Sequence, residues 1–340
     1  MTDQSQNRRP TIRDVAREAG VSHQTVSRVL NDHPKVAPKT RARVLQIMEK
    51  MGYERNLAAQ MLTTQHSNTI QIITLDAAFH LDVTQFTQPV KQAGYSAVIA
   101  DCTLRNLAKT FDEAAARMVD GIMLYAPQLV MPDKELVRLS HGIPLVRRDY
   151  AIDSRLTWIG FDQQHASRLA VQHLIELGHR HIGHITGSLE FINARLRYDA
   201  YVRMLEENGL NVGPVYVGEY GAEKRDMKSG YEGVYELLKR GRKFTALQVV
   251  NDRTAIGVLR ALAEHGLRVP EDVSIVAFDD NPIASYLTPP LTTIHFDFDF
   301  QARLGFQFLF EQIKDPHAYK HHQHVLIANL AVRQSTCSVQ

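Results

Sequence analysis

A concentration of hydrogen-bonding side chains lies near the N-terminus, in the segment VSHQTVSR at residues 21–28. The side chains concerned are Ser22, His23, Gln24, Thr25, Ser27 and Arg28. Their hydroxyl, imidazole, amide and guanidinium groups are those that proteins use to contact DNA phosphates and base edges. The alternative interpretation is the solvated outer face of an ordinary helix. The choice depends on the elements that position these side chains.

Two short helices joined by a glycine turn are predicted around this segment. Thr11 and Asp14 have the spacing of an N-terminal capping box, and Gly20 gives the backbone freedom to leave the first helix. Ser22 is placed to cap the second helix. Apolar residues recur at helical spacing on the inner side of both helices: Val15, Ala16, Ala19, Val26, Val29 and Leu30. The pattern predicts a helix-turn-helix whose second helix exposes its polar side chains to DNA.

A third helix completes the predicted headpiece. Pro38 stands at the start of PKTRARVLQIMEKMGY and Gly52 stands at its end, which are common start and stop signals of a helix. Its predicted buried side consists of Val44, Leu45, Ile47, Met48 and Met51. We therefore predict an all-α headpiece over residues 1–55 and a hinge or linker over 56–67 that is compatible with a helix or with disorder.

Composition and charge exclude several classes of protein. The 340 residues carry a net charge of +2, but residues 1–66 hold 11 basic and 6 acidic side chains (+5), which leaves 28 and 31 (−3) for the remainder. A basic head on a mildly acidic body fits a DNA-binding module on a scaffold that does not bind DNA.

The sequence has neither an apolar run long enough to span a membrane nor a secretory signal, so we expect a cytoplasmic protein. Cys102 and Cys337 are expected to be ordinary thiols.

From residue 69 onward, short apolar runs alternate with helical patterns. TIQIITL, YSAVIAD, DGIMLYA, IPLVRRD and LTWIGFD are typical of buried strands, and a second series runs from HIGHITG to VSIVAFD. One more helix then precedes a single last strand, HVLIANLAV. The alternation predicts two doubly wound parallel-sheet lobes. Ligands of such folds bind at the carboxyl ends of the strands, which here would face a cleft between the lobes.

These segments together resemble the LacI family of transcription regulators. The resemblance rests on TIRDVAREAGVSHQTVSRVLN, PKTRARV, GYERN and AAQML, and later on LGHRHIGHITG, NARLRYDAY, VVNDRTAIGVLRAL, VPEDVSIVAFDD and PPLTTI. It implies a helix-turn-helix headpiece and a periplasmic-binding-protein-like core over 68–340 that binds an effector and dimerises. The implied N-lobe covers about 68–165 and 296–324, and the C-lobe covers about 166–295 and 325–340. The implied function is that of a repressor of carbohydrate-utilisation genes that binds a palindromic operator as a dimer.

The resemblance also implies which residues contact DNA. His23, Gln24 and Arg28 fall on base-reading positions, where glutamine suits adenine and arginine suits guanine. Leu62 matches the family's leucine wedge in the minor groove, with Ala59 as the small residue beside it, and this implies an operator with a central CG step. Positions that contact phosphates or place the headpiece are occupied by Thr11, Ser22, Thr25, Ser27, Thr40, Tyr53 and Asn56.

The resemblance implies a small-molecule effector in the cleft, a sugar, with a galactoside favoured. Arg197, Asn251 and Asp279 match the family's polar ligand groups, and the alternative for them is ordinary loop capping by the asparagine and the aspartate, and a surface arginine. Further candidates are Tyr220, Phe161, Asp162, His165, Asn193 and Phe79. The loop DAAFHLDVTQF is short for the family and GEYGAEKRDMKSGY carries a charged insertion, so both departures leave the ligand open.

Other functions compete with this hypothesis. An enzyme is disfavoured because the sequence has no G-x-G-x-x-G, P-loop or G-x-S-x-G motif, and no cofactor or catalytic residue is expected. Asp279–Asp280 and the run KHHQH at 320–324 could bind a metal, but strand-end hydrogen bonding and a solvated loop explain them, so no metal is expected. A transport-type binding protein would share the lobes without the DNA head. A regulator controlled by a protein partner or corepressor remains the alternative.

The sequence also leaves open whether the effector induces or corepresses, although induction is favoured. We expect a homodimer rather than a tetramer, because no leucine heptads follow the core.

Overall fold

The chain folds into two compact units, residues 1–67 and residues 68–340. The computed structural model describes residues 10–30, 32–53, 66–75, 83–126, 129, 131–218, 226–241, 244–316 and 319–339. Within these ranges, the helices and strands follow closely the elements that the apolar periodicity predicts.

The first unit contains three helices: α1 Ile12–Glu18, α2 His23–Leu30 and α3 Pro38–Met51. The predicted capping box is present, since the Asp14 amide donates to Thr11 Oγ1 over 3.3 Å and the Thr11 amide donates to Asp14 Oδ2 over 3.0 Å. The Thr25 amide donates to Ser22 Oγ over 3.2 Å at the start of α2. Gly52 ends α3 in the left-handed conformation, with φ +59°. These features confirm the predicted helix-turn-helix headpiece.

A small apolar core holds the three helices together. Its buried members are Val15, Ala16, Ala19, Val26, Val29, Val36 and Val44. The prediction for α3 is wrong at one position, because Leu45 is 49% exposed. It directly follows the buried Val44 and is therefore turned about 100° away from it around the helix axis.

The second unit begins with a parallel six-stranded sheet in the order β11-β5-β4-β3-β1-β2, which we call the N-lobe with its helices. Neighbouring residues of β1 pack on opposite faces: Ile72 contacts one apolar cluster with α11, and Ile73 contacts another with α5. Helices on both faces make this lobe doubly wound, as predicted. Its elements are β1 Thr69–Leu75, α4 Val83–Gln92, β2 Ser96–Cys102, α5 Leu107–Ala116, β3 Gly121–Tyr125, α6 Asp133–Leu139, β4 Leu145–Arg147, β5 Trp158–Phe161, α11 Phe298–Lys314 and β11 Gln323–Leu326.

The C-lobe repeats the arrangement with the strand order β12-β10-β9-β8-β6-β7, in which only β12 is antiparallel to its neighbour. Val276 of β9 packs towards α7 and α8, and Ile275 packs on the other face against α9 and α10. Its elements are α7 Gln163–Glu176, β6 Ile182–Thr186, α8 Ile192–Glu207, β7 Val215–Val217, α9 Asp226–Lys239, β8 Ala246–Val249, α10 Asp252–Glu264, β9 Ser274–Asp279, a 3₁₀ turn at Pro282–Tyr286, β10 Thr292–His295 and β12 Asn329–Ala331.

The described chain passes between the lobes after β5, after β10 and after β11. The predicted single last strand HVLIANLAV is wrong, because it is divided between the two sheets: Leu326 pairs with Phe161 of the N-lobe and Leu330 pairs with Ile294 of the C-lobe. The last crossing therefore lies after residue 326, slightly later than the 324/325 boundary that was predicted.

Packing at the crossings joins the two lobes into one unit. The Phe161 ring lies 4.7 Å from that of Phe296 and 5.5 Å from that of Phe298, centroid to centroid. These three rings form an apolar surface at the junction of the two lobes. Within the described ranges, no helix combines the length and the apolar character that spanning a bilayer requires.

Candidate DNA-binding face and interlobe cavity

Helix α2 divides its residues between the headpiece core and solvent. Val26 and Val29 are buried, whereas His23, Gln24 and Arg28 are exposed. Gln24 and Arg28 are four residues apart and therefore share one face of the helix. This face offers an amide and a guanidinium group, the two groups that pair in bidentate fashion with adenine and guanine in the major groove.

The other residues that are predicted to contact DNA differ in their exposure and in their local contacts. Ser22 is exposed, Thr25 and Ser27 are half-buried on α2, and Thr40 is half-buried on the first turn of α3. Thr11 takes part in the capping box, and Tyr53 packs against the headpiece core. Asn56, Ala59 and Leu62 lie outside the described residues.

A cavity of about 460 Å³ lies between the two lobes. It opens at the carboxyl ends of β3, β4 and β5 on one side and of β8 and β9 on the other, where this fold class places ligands. Its volume is in the range of pockets that enclose small molecules. The lining residues are Tyr125, Arg148, Asp149, Tyr150, Gly160, Phe161, Gln163, Phe191, Asn193, Ala194, Arg197, Val250, Asn251, Asp252, Arg253, Asp279, Asp280, Asn281, Pro282, His295, Phe296, Asp297, Phe298, Asp299 and Gln301.

Arg197 projects from α8 into the C-lobe side of the cavity and is only 6% exposed. Its Nε donates to Gln163 Oε1 over 2.8 Å and its Nη1 donates to the Val250 carbonyl over 2.6 Å. Nη2 lies 3.9 Å from Asp279 Oδ1, and the guanidinium carbon lies 4.3 Å from the centroid of the Phe278 ring. These contacts fix the planar group in one orientation, which suits directional hydrogen bonding to a ligand.

Asn251 and Asp279 end β8 and β9 on the same wall. Asn251 caps α10, because its Oδ1 accepts the Thr254 amide over 2.7 Å. Capping, the alternative that the sequence left open, is therefore present, and the residue still lines the cavity. Asp279 and the next residue, Asp280, have φ angles of +102° and +54°. Such values are unfavourable for side chains other than glycine and are concentrated at functional sites.

Two more aspartates, Asp252 and Asp280, line the cavity next to these residues. Asp252 is fully buried and accepts hydrogen bonds from Thr293 Oγ1 and from the Asn281 amide, both over 2.6 Å. Burial, together with the negative charge of Asp279, raises the pKa of Asp252 to about 8. Asp280 is held by Arg333 over 2.6 Å and by His295 over 3.0 Å.

The N-lobe contributes charged and aromatic groups from the end of β4. Arg147 forms a buried ion pair with Asp149 at 2.6 Å. The next residue, Arg148, is 2% exposed and lines the cavity. Its guanidinium carbon lies 5.8 Å from the centroid of the Tyr125 ring and 5.5 Å from that of the Phe298 ring. Two buried guanidinium groups, one from each lobe, thus line the same cavity.

The structure brings together five of the predicted effector residues: Arg197, Asn251, Asp279, Phe161 and Asn193 all line the cavity. Asp162 and His165 are not among the lining residues, so their predicted role in effector binding stays a prediction. Asp162 is turned away to cap α7, where its Oδ1 accepts the His165 amide over 2.9 Å. Tyr220 and Phe79 lie outside the described residues.

Sequence reasoning missed several residues of the lining, above all Arg148, Tyr125 and Asp252. Each belongs to an apolar strand run or stands just after it. The rule that polar residues after buried strands point to a ligand, which selected Asn251 and Asp279, would also have selected Arg148 after IPLVR and Asp252 after ALQVVN.

Family comparisons give consistent matches over both units. A family model described as "Bacterial regulatory proteins, lacI family" matches residues 11–56, and one described as "Periplasmic binding protein-like domain" matches residues 171–336. The HTH-type transcriptional repressor PurR of Haemophilus influenzae (strain PittEE) is 33% identical over 341 residues, which cover 97% of this chain and 99% of PurR. The lactose operon repressor of Escherichia coli (strain K12) is 33% identical over 298 residues, 85% of this chain and 80% of that repressor.

Among solved structures, the fold is similar to the crystal structure of the Lac repressor dimer bound to operator and the anti-inducer ONPF. The TM-score is 0.85 at 30% sequence identity, and the match covers 97% of this chain and all of that one. Both the headpiece and the two-lobed core thus have counterparts in one solved protein.

Proposed function

The chain belongs to the LacI family of bacterial regulatory proteins, and from this premise we propose that it is a transcriptional repressor that binds DNA sequence-specifically. The proposal depends most on the exposed face of α2. Gln24 and Arg28 are neighbours on this face, one turn apart, while Val26 and Val29 of the same helix are buried in the headpiece core. Relatives that are transcriptional repressors support a regulator without catalytic activity. Its site of action is then the chromosome, in the cytoplasm.

The operator that we propose is a palindrome with a central CG step, bound by a homodimer. A two-fold symmetric dimer presents two recognition helices to two half-sites, and the half-sites then read the same sequence in opposite directions. The similar Lac repressor structure is a dimer bound to its operator, which supports this assembly. The central CG follows from Leu62 as a wedge, since pyrimidine–purine steps unstack at low cost.

The effector that we propose for the cavity is a small sugar-type molecule that releases the protein from DNA. Asn251, Asp279 and Arg197 line the same cavity and offer hydrogen-bond acceptors and donors for the hydroxyl groups of a ligand. The Phe161 and Phe296 rings supply the apolar surface on which a pyranose ring packs. Because the site draws residues from both lobes, a ligand there changes the relative stability of the lobe arrangements and thereby the operator affinity, with a typical coupling of about 1–3 kcal/mol.

The DNA-binding proposal is tested by selecting binding sequences from a random duplex pool with the purified full chain. We expect a palindromic consensus with a central CG. Gln24→Ala and Arg28→Ala should each weaken binding to the selected sequence by about 1–3 kcal/mol in fluorescence anisotropy, the usual value of a bidentate base contact. Arg138→Ala removes an exposed charge from α6 of the N-lobe and serves as the control. Enrichment of no common sequence would refute the proposal.

The effector proposal is tested by a thermal-shift screen with mono- and disaccharides, sugar acids and sugar phosphates. A ligand at about 100 times its Kd stabilises the core by roughly 2.7 kcal/mol, which is a readable shift. A true ligand should lower operator affinity, and its binding should be abolished by Arg197→Ala. Asn193→Ala is the second variant, because Asn193 lines the cavity and is less buried than Arg197. A panel without any hit would overturn the sugar assignment and favour a protein partner.

A further inference from the structure

Gln163 begins α7 directly after the first passage of the chain from the N-lobe to the C-lobe. The residue is 4% exposed and lines the interlobe cavity. Its carboxamide therefore lies both at the ligand site and at a connection between the lobes. A carboxamide has a carbonyl oxygen that accepts and an NH2 group that donates, and either group costs free energy when it is buried without a partner.

The contact with Arg197 determines the orientation of this carboxamide. Arg197 Nε lies 2.8 Å from the side-chain amide of Gln163, and a guanidinium group can only donate hydrogen bonds. The atom that faces Arg197 is therefore the carbonyl oxygen, Oε1, which leaves Nε2 on the other branch of the amide. Within the part of the chain that the structure describes, Nε2 donates to no protein acceptor. It is also not among the unpartnered atoms that are sealed from solvent, so its accessible surface faces the cavity.

A second glutamine of the cavity wall, Gln301, is bonded differently. Its Nε2 donates to the Ile159 carbonyl over 3.0 Å, so the protein itself uses this NH2 group. Gln163 instead uses only its oxygen. Of the two glutamines that line the described cavity, Gln163 is the one whose donor is available to a ligand.

The surroundings of Nε2 favour a ligand atom that accepts a hydrogen bond. The Arg197 guanidinium lies beside the Gln163 amide and is held on the same wall by Gln163 and by the Val250 carbonyl, over 2.8 and 2.6 Å. Amide and guanidinium N–H groups that lie side by side repel a further donor and attract an oxygen lone pair. A sugar hydroxyl has an oxygen with such lone pairs.

We propose that Gln163 is a further effector-binding residue, which accepts a hydrogen bond from Arg197 and donates one from Nε2 to a hydroxyl oxygen of a hexose. The sugar class rests on the proposed function, whereas the direction of the hydrogen bond rests on the contact between Gln163 and Arg197. Since Gln163 directly follows the crossing, this contact also joins the ligand to a segment that connects the lobes. A ligand held in this way stabilises the lobe arrangement in which Nε2 faces it.

A purely structural role, in which Gln163 only positions Arg197, is separated from this one by Gln163→Glu. Glutamate keeps an oxygen for Arg197 Nε at nearly the same volume, but a second oxygen replaces the NH2 group. If Gln163 only positions Arg197, the substitution changes the affinity of closely related ligands by the same factor. If Nε2 donates to a hydroxyl, the ligand has to turn that hydroxyl around and donate to the new carboxylate. A fluorine atom at the same carbon cannot donate and is therefore rejected.

The test measures dissociation constants by isothermal titration calorimetry with the full chain. The probes are galactose and glucose, each with its monofluorinated deoxy analogues at every hydroxyl other than the anomeric one. The Kd of each analogue is divided by that of its parent sugar, and this ratio is compared between Gln163→Glu and the wild type. At one carbon the ratio should rise about 10-fold or more, the value of an unmatched group beside a charge, and at the others it should stay within about 2-fold. Gln164→Glu places the same charge on the next residue of α7, which does not line the cavity, and should leave every ratio unchanged.

Melting curves of the unliganded variants confirm that they are folded. Where Gln163→Glu does not fold, Gln163→Met takes its place with the deoxy analogues, and the loss of affinity on removal of one hydroxyl should disappear. Ratios that Gln163→Glu leaves unchanged at every carbon, or that Gln164→Glu changes equally, would overturn this inference and leave the sugar effector standing. If neither hexose binds to the wild type, this inference fails, while the thermal-shift screen still decides whether another sugar is the effector.

Discussion

Replacement of Asp252 by asparagine is expected to change how the stability of the core depends on pH. The carboxyl group is fully buried between Thr293 Oγ1 and the Asn281 amide. Asparagine can accept from the Asn281 amide through its oxygen and donate to Thr293 through its nitrogen, so it reproduces the protonated acid and removes the titration.

The magnitude follows from the pKa of Asp252, which is about 8 in the native chain against an ordinary value of 3.8. Below pH 3.8 the acid is protonated in both the native and the unfolded chain and adds no pH dependence. As the pH rises from 3.8 to 8, the unfolded chain loses its proton and the native chain keeps it, so the free energy of unfolding falls. Between pH 5 and pH 8 this amounts to about 4 kcal/mol at 1.36 kcal/mol per pH unit. The positive end of the α10 dipole favours the anion by up to about 2 kcal/mol. We therefore expect the free energy of unfolding of the wild type to fall by at least about 2 kcal/mol between pH 5 and pH 8.

The assay is urea unfolding of both proteins at pH 5, 6, 7 and 8, followed by tryptophan fluorescence of Trp158 in the N-lobe together with circular dichroism. The free energy of unfolding of Asp252→Asn minus that of the wild type should rise by at least about 2 kcal/mol from pH 5 to pH 8. Asp297→Asn removes an exposed carboxylate at the same cavity and controls for the change in net charge. A difference that stays constant over this pH range would refute the reasoning.

Two further predictions concern other parts of the chain. Thr11→Ala removes the capping box of α1 and should lower headpiece stability by about 1 kcal/mol in thermal melts; an unchanged melt would contradict this. Gly257→Ala should destabilise the core by about 3 kcal/mol or more in urea unfolding, because its Cβ would lie 1.7 Å from the Met227 carbonyl oxygen of α9. Gly266→Ala, whose Cβ meets no neighbouring atom at φ +69°, should cost only about 1 kcal/mol.

Local signals made most of the fold predictable from the sequence. The capping box at Thr11, the proline at 38 and the left-handed Gly52 act within one or two turns of chain, so their effect depends little on the rest of the molecule. The β1 run TIQIITL is likewise apolar on both faces because helices cover both faces of a parallel sheet. The division of HVLIANLAV between two sheets was not predictable, since it depends on pairing with strands about 35 to 165 residues earlier, Ile294 and Phe161 among them.

The cavity was predictable only in part. Asn251 and Asp279 stand just after apolar strands, and the position alone indicated a ligand wall. Arg148 sits in a strand-like run beside Arg147, and only the tertiary structure shows that Arg147 pairs with Asp149 while Arg148 lines the cavity. Asp162 follows a strand in the same way as Asn251, yet its capping contact leaves it outside the lining.

We propose that the same chain contacts operator bases through α2 and changes its operator affinity when a ligand binds in the interlobe cavity. The most direct test measures the affinity of the full chain for its selected operator, with and without the ligand that the thermal-shift screen identifies, in the wild type and in Arg197→Ala. We expect nanomolar operator binding that weakens about 5- to 150-fold with ligand in the wild type, and the same operator binding without any response to ligand in Arg197→Ala. Operator affinity that ligand leaves unchanged in the wild type, despite saturation of the cavity, would contradict it.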